Sequence, residues 1–263
     1  MLEESLRLHL ADLPIPEIHF FETLGSTNDE ALAWSETGAV DGCLVVADTQ
    51  TRGRGRLNRQ WITRPGAALA FSLILRPTSE ESSHLFLFSP LGGLALCQAL
   101  SKGYGLAPQI KWPNDVLLNK QKVAGILVES FWSGEIPQSI ILGIGVNVAP
   151  EAVPPPAEVM YPATSVEQVV GKPVDRFILL HDLLEAIFEW RTNLTSARFF
   201  KTWEDSLAFR GDWVRVDQPG LEPINGQILG ISENGNLRLL TKTGQEINVY
   251  AGDIRLRPAD KNQ

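Results

Sequence analysis

The most constraining feature of this sequence is an apolar run that leads directly into a cluster of arginines and glycines. Residues 43–47 read Cys-Leu-Val-Val-Ala, a near-continuous apolar stretch that predicts a buried strand. Residues 48–61 follow, with four arginines within eight residues, interleaved with two glycines. Glycine lets the backbone approach a ligand closely, and the arginine guanidinium pairs with carboxylate or phosphate oxygens. The pattern predicts a mobile loop, carried at the end of a buried strand, that closes over an anion.

This arginine loop, defined as residues 51–61, does not identify a substrate by itself. A solvated basic turn has the same composition, and the segment is not a P-loop because no Gly-Lys-Ser or Gly-Lys-Thr ends it. Its positive charge is local, because the whole chain has a formal net charge of −8. That acidic balance argues against broad electrostatic binding of nucleic acid.

Composition narrows the class of protein further. The two cysteines, Cys43 and Cys97, form no spaced pair, and the four histidines form no ligand cluster, so no metal site is predicted. The N-terminus lacks a basic segment followed by an apolar one, and no apolar run reaches membrane-spanning length. We therefore expect a cytoplasmic protein without a membrane partner.

The order of elements predicts an α+β fold, a mixed β-sheet backed by helices and followed by a small SH3-like β-barrel. At 263 residues the chain has room for one large and one small domain, which we place at 1–208 and 209–263. Strands are expected at 18–23, 42–48, 68–75, 116–118, 122–131 and 139–148, and helices after Ser26, at 83–102, after Asp175 and at 196–208. Residues 1–17 are expected to be a lead-in, and the proline-rich segment 149–163 a loop and candidate lid.

Four further stretches accompany the arginine loop in a fixed order. Ser26-Thr27-Asn28 precedes it, and Lys111–Val116, Lys122–Glu129 and Gly143–Val148 follow it. Their order and spacing resemble the biotin protein ligases, also called biotin–[acetyl-CoA-carboxylase] ligases. The resemblance runs from about Phe21 to Asn147 and resumes weakly near the C-terminus. It implies a catalytic domain of the class II aminoacyl-tRNA synthetase and biotin ligase type.

The resemblance also implies a reaction and its participants. Biotin and ATP would form biotinyl-5′-AMP and pyrophosphate with Mg²⁺, and the biotinyl group would pass to a lysine of a biotin carboxyl carrier protein or domain. A homodimer is a further possibility that the family suggests. The first alternative is a lipoate or octanoate ligase or transferase, which shares the catalytic fold. The second is a biotin-responsive transcriptional regulator, although only 25 residues precede Ser26, fewer than a helix-turn-helix domain is expected to need.

Roles are carried over from the family residue by residue. The implied biotin-binding residues are Ser26, Thr27, Asn28, Gln50, Gly53, Arg54, Gly55, Arg56, Lys122 and Gly125. The implied ATP-binding residues are Arg54, Arg56, Asn114, Lys122 and Asn147. The implied catalytic residues are Lys122, Arg56 and Asp115. Lys122 would touch both the biotin carboxylate and the α-phosphate, and Arg56, paired with Asp115, would restrain the reactive adenylate.

Each assignment has a simpler structural alternative. Ser26 or Thr27 could only cap a helix, Asp115 could only end a Pro-Asn-Asp turn, and Lys122 could be a solvated hairpin lysine. Trp61 and Trp112 are expected in the core and are left out of the site. The loop departs from the family at Leu57, often arginine, and at Asn58, often glycine.

Overall fold

The computed structural model describes residues 2–56, 59–159, 161–218 and 222–250, and the backbone of 255–258. The helices are α1 Leu2–His9, α2 Thr27–Glu36, α3 Ser79–Ser82, α4 Phe88–Tyr104, α5 Val166–Val170, α6 Arg176–Arg191 and α7 Ala197–Asp205. Short 3₁₀ turns lie at Leu85–Leu87, Pro150–Ala152 and Pro156–Glu158. The strands of the first sheet are β1 Ile18–Leu24, β2 Leu44–Gln50, β3 Ala68–Leu75, β4 Gln109–Lys111, β5 Asp115–Leu118, β6 Gln121–Ser133 and β7 Ile136–Asn147.

These strands form one mixed sheet in the order β1-β2-β3-β7-β6-β5-β4. The β1–β2 pair is parallel, and every other pair in this sheet is antiparallel. The β6–β7 hairpin crosses the centre of the sheet and carries two of the sequence motifs, at residues 122–129 and 143–148. The predicted mixed sheet backed by helices is confirmed.

Strand β2 is apolar on both faces because helices cover both sides of the sheet. Leu44 and Val46 belong to the large core beneath α4 and α6, whereas Cys43 and Val45 pack on the opposite side with Ala31 of α2. A strand buried on two sides shows no alternation of polar and apolar residues. This accounts for the uninterrupted apolar run that precedes the arginine loop.

Helix α4 is the buried helix at the centre of the large core. The expectation that no apolar run reaches membrane-spanning length is wrong, because Leu85–Tyr104 is long and apolar enough by composition. However, 67% of its 18-residue apolar window is buried inside the protein. Glycines let the helix approach the sheet, since a Cβ added at Gly92 would lie 3.0 Å from Ile144 Cδ1. Gly105 ends the helix in the left-handed conformation with φ of 65°.

Within the expected lead-in at residues 1–17, residues 2–9 form α1, a helix that the sequence analysis did not predict. Leu6 and Leu10 are both buried against the large core, one helical turn apart. Leu2, Leu6 and Leu10 recur every four residues, a helical spacing that the sequence analysis overlooked. Packing against α6 supplies the stability that the short helix lacks alone. Helix α5 also went unpredicted; a capping box between Ser165 and Gln168 fixes its start.

The C-terminal part is a small antiparallel sheet of SH3-like type, as predicted. Its strands are β8 Trp213–Asp217, β9 Ile224–Ile231, β10 Leu237–Leu240, β11 Glu246–Val249 and β12 Arg255–Pro258. They are ordered β11-β10-β9-β8-β12. Helix α7 ends at Asp205 and β8 begins at Trp213, which supports the domain boundary that we propose between residues 208 and 209.

Candidate active site

A cavity of about 640 Å³ lies where the sequence motifs meet. Small-molecule sites commonly fall between about 300 and 1,000 Å³, so this one has room for a metabolite with a nucleotide. The predicted site residues that line it are Ser26, Thr27, Asn28, Gln50, Arg54, Gly55, Arg56, Asn114, Asp115, Lys122, Gly125 and Asn147. The motifs are far apart in sequence, and the sheet brings them to one cavity.

One end of the cavity is a buried polar cluster at the N-terminus of α2. The Thr27 backbone N–H donates to Gln50 Oε1 at 2.7 Å, and the Thr27 hydroxyl donates to the same oxygen at 3.1 Å. Ser26 occupies the N-cap position, but its side chain makes no capping hydrogen bond. Its hydroxyl is therefore not used by the helix, which favours a pocket role over the capping alternative.

Ser72 of β3 belongs to this cluster and was missed by the sequence analysis. It is fully buried, and its hydroxyl donates to Asn28 Oδ1 at 2.6 Å and lies 2.8 Å from Thr27 Oγ1. The Asn28 amide nitrogen donates to Glu129 Oε2 at 2.7 Å and to the Leu127 carbonyl at 3.3 Å. Asn28 thus lines the cavity, while its amide group is held by protein partners. A lone serine within the apolar run 68–75 was the available signal.

The described parts of the arginine loop, residues 51–56 and 59–61, pair as a narrow hairpin above the cavity. The Trp61 N–H donates to the Gly53 carbonyl at 2.9 Å, and the Gly55 N–H donates to the Arg59 carbonyl at 2.7 Å. Gly53 lies beside the loop stem and does not line the cavity. A Cβ at Gly53 would overlap the Trp61 carbonyl and crowd the Gln50 amide, so glycine is required there for close approach. Leu57 and Asn58, where the loop departs from the family, lie outside the described residues.

The two central arginines of the loop have different contacts. Arg54 forms ion pairs with Glu129 of β6 and Asp29 of α2, with Nη2 at 2.8 Å from Glu129 Oε2 and 2.6 Å from Asp29 Oδ1. Arg56 Nη1 donates to Asn114 Oδ1 at 3.5 Å. Arg54 therefore reaches toward the α2 side of the cavity, and Arg56 toward the motif at residues 111–116.

Trp61 lies in the cavity wall, although the sequence analysis left it out of the site. Its indole covers Gly145 so closely that any Cβ there would overlap the ring, and Lys122 Nζ lies 5.7 Å from the ring centroid. The Trp61 Nε1 is buried and has no hydrogen-bond partner among the described residues. Trp112, in contrast, is a core residue as expected, 2% exposed. The signal for Trp61 was its place directly after the arginine cluster.

Asp115 is buried between two lysines. Its Oδ1 lies 2.6 Å from Lys122 Nζ, and its Oδ2 lies 3.4 Å from Lys111 Nζ. Burial alone would raise the pKa of Asp115, but the charges of Lys122 and Lys111 outweigh it and hold the pKa below the ordinary value. The carboxylate is thus ionised, and it fixes two cations in the cavity wall. Neither Asp115 nor Lys122 is a solvated turn residue.

Lys111 is the second of these cations. It begins the motif at residues 111–116, but the sequence analysis assigned it no role. Its side chain is only 10% exposed. Burial lowers the pKa of Lys111, and the nearby charge of Lys122 lowers it further, which outweighs the opposite effect of Asp115. Asp115 is paired with these lysines here, and a pairing between Asp115 and Arg56 stays a prediction.

The proline-rich segment returns to the cavity along Lys122. The Lys122 N–H donates to the Pro162 carbonyl at 2.8 Å, and the Thr164 N–H donates to the Lys122 carbonyl at 2.9 Å. Asn147 donates through Nδ2 to the Thr164 carbonyl at 3.1 Å, so both ends of the segment are fixed. Tyr161 lines the cavity, with Lys111 Nζ 4.5 Å from its ring centroid.

Comparison with known proteins gives two family matches. Residues 20–147 match the model of the biotin/lipoate A/B protein ligase family, and residues 214–257 match the biotin protein ligase C-terminal domain. The biotin–[acetyl-CoA-carboxylase] ligase of Paracoccus denitrificans is 37% identical over 84% of this chain and 93% of its own length. The bifunctional ligase/repressor of Bacillus subtilis is 34% identical over 90% of this chain and 73% of its length.

Solved structures give the same result. The biotin protein ligase of Aquifex aeolicus, determined in complex with biotin and ATP, superposes with a TM-score of 0.79 and is 30% identical. The match covers 93% of this chain and 100% of the Aquifex chain. The similarity therefore spans the catalytic sheet and the C-terminal sheet together.

Proposed function

Since the chain belongs to the biotin protein ligase family, we propose that it activates biotin with ATP and transfers the biotinyl group to a lysine of a biotin carboxyl carrier protein. It is an enzyme that forms a C–N bond in two steps. The observation that carries this proposal is the single cavity that joins the buried polar cluster of Thr27 and Gln50 to the cations of Lys122 and Arg56.

We assign the polar cluster to the ureido ring of biotin. A buried ureido group offers two N–H donors and one carbonyl acceptor, and each needs a partner. Gln50 Oε1 already accepts two hydrogen bonds from Thr27, which fixes the orientation of its amide. The Ser26 hydroxyl, not engaged in capping, is available to a ligand at this position.

The first step brings together two anions. An oxygen of the biotin carboxylate attacks the α-phosphorus of ATP, and the bond to the pyrophosphate oxygen breaks. Lys122, held at 2.6 Å from Asp115 on a rigid hairpin, is placed to neutralise charge on both reactants. We assign Arg56 and Asn114, which contact each other, and Asn147 to the nucleotide side.

The second step forms an amide. The uncharged ε-amine of the carrier lysine attacks the acyl carbon of the adenylate, and AMP leaves with the electron pair of the broken C–O bond. The amine nitrogen releases one proton to solvent, which leaves a neutral amide. An acyl-adenylate hydrolyses readily, so a loop that excludes water protects the intermediate. The arginine loop, with Trp61 covering Gly145, is the element placed to do this.

The side chains of the cavity are compatible with an Mg²⁺ ion that enters the site already bound to the phosphates of ATP. Magnesium usually keeps several waters and binds one or two carboxylates plus substrate phosphates. The carboxylates among the described cavity residues are Asp115, already paired with lysines, and Glu158. No cluster of three or more potential metal ligands occurs in the described part of the chain. When bound, the ion would offset phosphate charge.

We place this reaction in the cytoplasm, with no nucleic acid or membrane as partner, and a homodimer stays a prediction. The test is pyrophosphate release from ATP with biotin, lipoate or octanoate supplied separately. Pyrophosphate release with biotin, and none with lipoate or octanoate, supports the proposal. Release with lipoate or octanoate, and none with biotin, would establish the related ligase instead.

A further inference from the structure

Glu129 is a charged residue at the end of the 122–129 motif for which the proposed reaction needs no role. Both of its carboxylate oxygens face Arg54, with Nη1 to Oε1 at 3.0 Å and Nη2 to Oε2 at 2.8 Å. Asp29 adds a second carboxylate to the same guanidinium at 2.6 Å. Arg54 is thus held from β6 and from the first turn of α2 together.

This arrangement differs from an ordinary surface ion pair. Exposed pairs contribute little because two long side chains must be ordered, but a bidentate pair with prepositioned partners avoids part of that cost. The Glu129 carboxylate is already positioned by Asn28, which donates to Oε2 at 2.7 Å. Asn28 is fixed in turn by buried Ser72. The acceptor is therefore ordered before Arg54 reaches it.

We propose that Asp29 and Glu129 form an ionic latch on Arg54 that holds the arginine loop closed over the biotin end of the cavity. The latch sets the rate at which biotin leaves, and in this respect it rests on the proposed function. Asp29 and Glu129 are positioning residues, since they act on the substrate only through the loop.

The chain at either end of the arginine loop is anchored, so closure depends on the contacts that the loop itself makes. The Arg52 N–H donates to the Gly25 carbonyl at 2.8 Å, and the Gly66 N–H donates to Asp48 Oδ1 at 3.2 Å, so both ends are anchored. Asp48 is itself paired with Arg176 of α6. Between these anchors, Arg54 makes the bidentate ion pair that ties the hairpin to the sheet. Releasing it leaves the hairpin tied to the cavity wall mainly through Arg56 and Asn114, and we expect Trp61 to leave Gly145 more often.

The latch gives Arg54 a role in loop closure in place of the implied contacts with biotin and ATP. Both terminal nitrogens of its guanidinium face carboxylates, those of Glu129 on β6 and Asp29 on α2. Its side chain is thereby committed to loop closure, whereas Arg56 remains on the nucleotide side. Loss of the latch is expected to weaken biotin retention without a comparable change in ATP affinity.

The first experiment measures the loop directly and needs no ligand. Trypsin cleaves after arginine, so cleavage within residues 52–59 reports opening of the loop. Glu129→Gln keeps an oxygen for Asn28 to donate to, and Asp29→Asn keeps the shape, so each substitution removes mainly charge. Asp205→Asn is the matched control, because it removes an exposed ion pair with Lys201 on α7.

We expect the Asp29→Asn/Glu129→Gln double variant to be cut at these arginines about five- to tenfold faster than wild type, with no change in the control. Thermal melting and cleavage elsewhere in the chain should stay unchanged. Equal cleavage rates at the loop in wild type and the double variant would overturn the latch.

The second experiment measures biotin dissociation at two salt concentrations. The Debye length falls from about 10 Å at 0.1 M to about 3 Å at 1 M salt, so a partly exposed latch weakens as salt rises. Wild type should lose biotin faster at high salt, whereas the double variant should lose it fast at both concentrations. If biotin dissociation from the double variant still speeds up at high salt, the latch is contradicted. If the wild-type protein binds no biotin, the proposed function is refuted instead.

Discussion

At the scale of single residues, the chemistry depends on cations held rigidly by Asp115. The carboxylate sits between Lys122 and Lys111 and is 12% exposed. A buried carboxylate with two opposite charges stays ionised at neutral pH, because its pKa lies below the ordinary value. We expect this geometry to supply fixed positive charge at the place where phosphate charge develops in the proposed reaction.

Lys122→Ala is expected to reduce adenylate formation sharply and to leave the fold intact. Removing one preorganised donor or cation typically costs on the order of 10²-fold in rate. Pyrophosphate release measures the effect, and Lys102→Ala, an exposed lysine on α4, is the control. Near wild-type release by Lys122→Ala would show that the role assigned to this lysine is wrong.

Sequence reasoning found the residues that belong to contiguous motifs and missed those that depend on tertiary contacts. Lys122, Asp115 and Gln50 line the cavity, and the roles assigned to them stay predictions. Ser72 looked like one position in an apolar strand, and its role depends on Asn28, which is 44 residues away in sequence. No local pattern encodes a contact of that kind.

At the scale of elements, the proline-rich segment is fixed at Tyr161 from two directions. The phenol donates to the Lys120 carbonyl at 2.9 Å, and the ring lies against Lys111 in the cavity wall. The segment contains 3₁₀ turns at Pro150–Ala152 and Pro156–Glu158, and its described residues join no sheet beyond one bridge at Ala163. It remains our candidate for the lid over the adenine.

Tyr161→Ala should weaken binding of ATP more than binding of biotin. An aromatic face beside a base contributes roughly 1–3 kcal/mol, and the substitution removes that face. Calorimetry with each ligand separately measures the difference. Tyr161→Phe keeps the ring and loses only the hydrogen bond to Lys120, so it should bind ATP almost as well as wild type. Equal losses for both ligands in Tyr161→Ala would indicate a packing role instead.

The segment that follows α1 is joined to α6 through a titratable contact. His181 of α6 lies 3.2 Å from Asp12 and 3.3 Å from Asp182. Burial lowers the pKa of His181, but hydrogen bonds and charge from these two aspartates outweigh it and raise the pKa above 6.5. A raised histidine pKa adds stability that is complete below the unfolded value and is lost as pH rises through the folded value.

His181→Gln should therefore reduce the melting temperature near pH 6 more than near pH 9, where the wild-type histidine is largely neutral, since free histidine titrates at about 6.5. Thermal unfolding of both proteins at the two pH values measures this. The hydrogen bond with His181 lowers the pKa of Asp12. At acid pH the contact also weakens, because Asp12 becomes protonated. A melting difference that is the same at both pH values would contradict the assignment.

At the scale of the whole molecule, the C-terminal sheet is attached beside the motif that holds Asp115. Trp112 Nε1 donates to the Gly235 carbonyl at 2.9 Å, and Gly235 adopts φ of 74° against the ring of Phe86. The Ala208 N–H donates to the Ile110 carbonyl at 2.8 Å, which ties the chain after α7 to β4. The order of strands predicted two domains, but this contact between them could not be read from the sequence.

The most direct test of the central claim is the mass of a carrier domain after reaction. The purified protein is incubated with biotin, ATP, Mg²⁺ and a biotin carboxyl carrier domain, and the carrier is weighed intact by mass spectrometry. We predict an increase equal to one biotinyl group, absent when ATP is omitted or when the acceptor lysine of the carrier is replaced. An unchanged carrier mass in the complete mixture, with a carrier that a known biotin ligase modifies in parallel, would contradict the account.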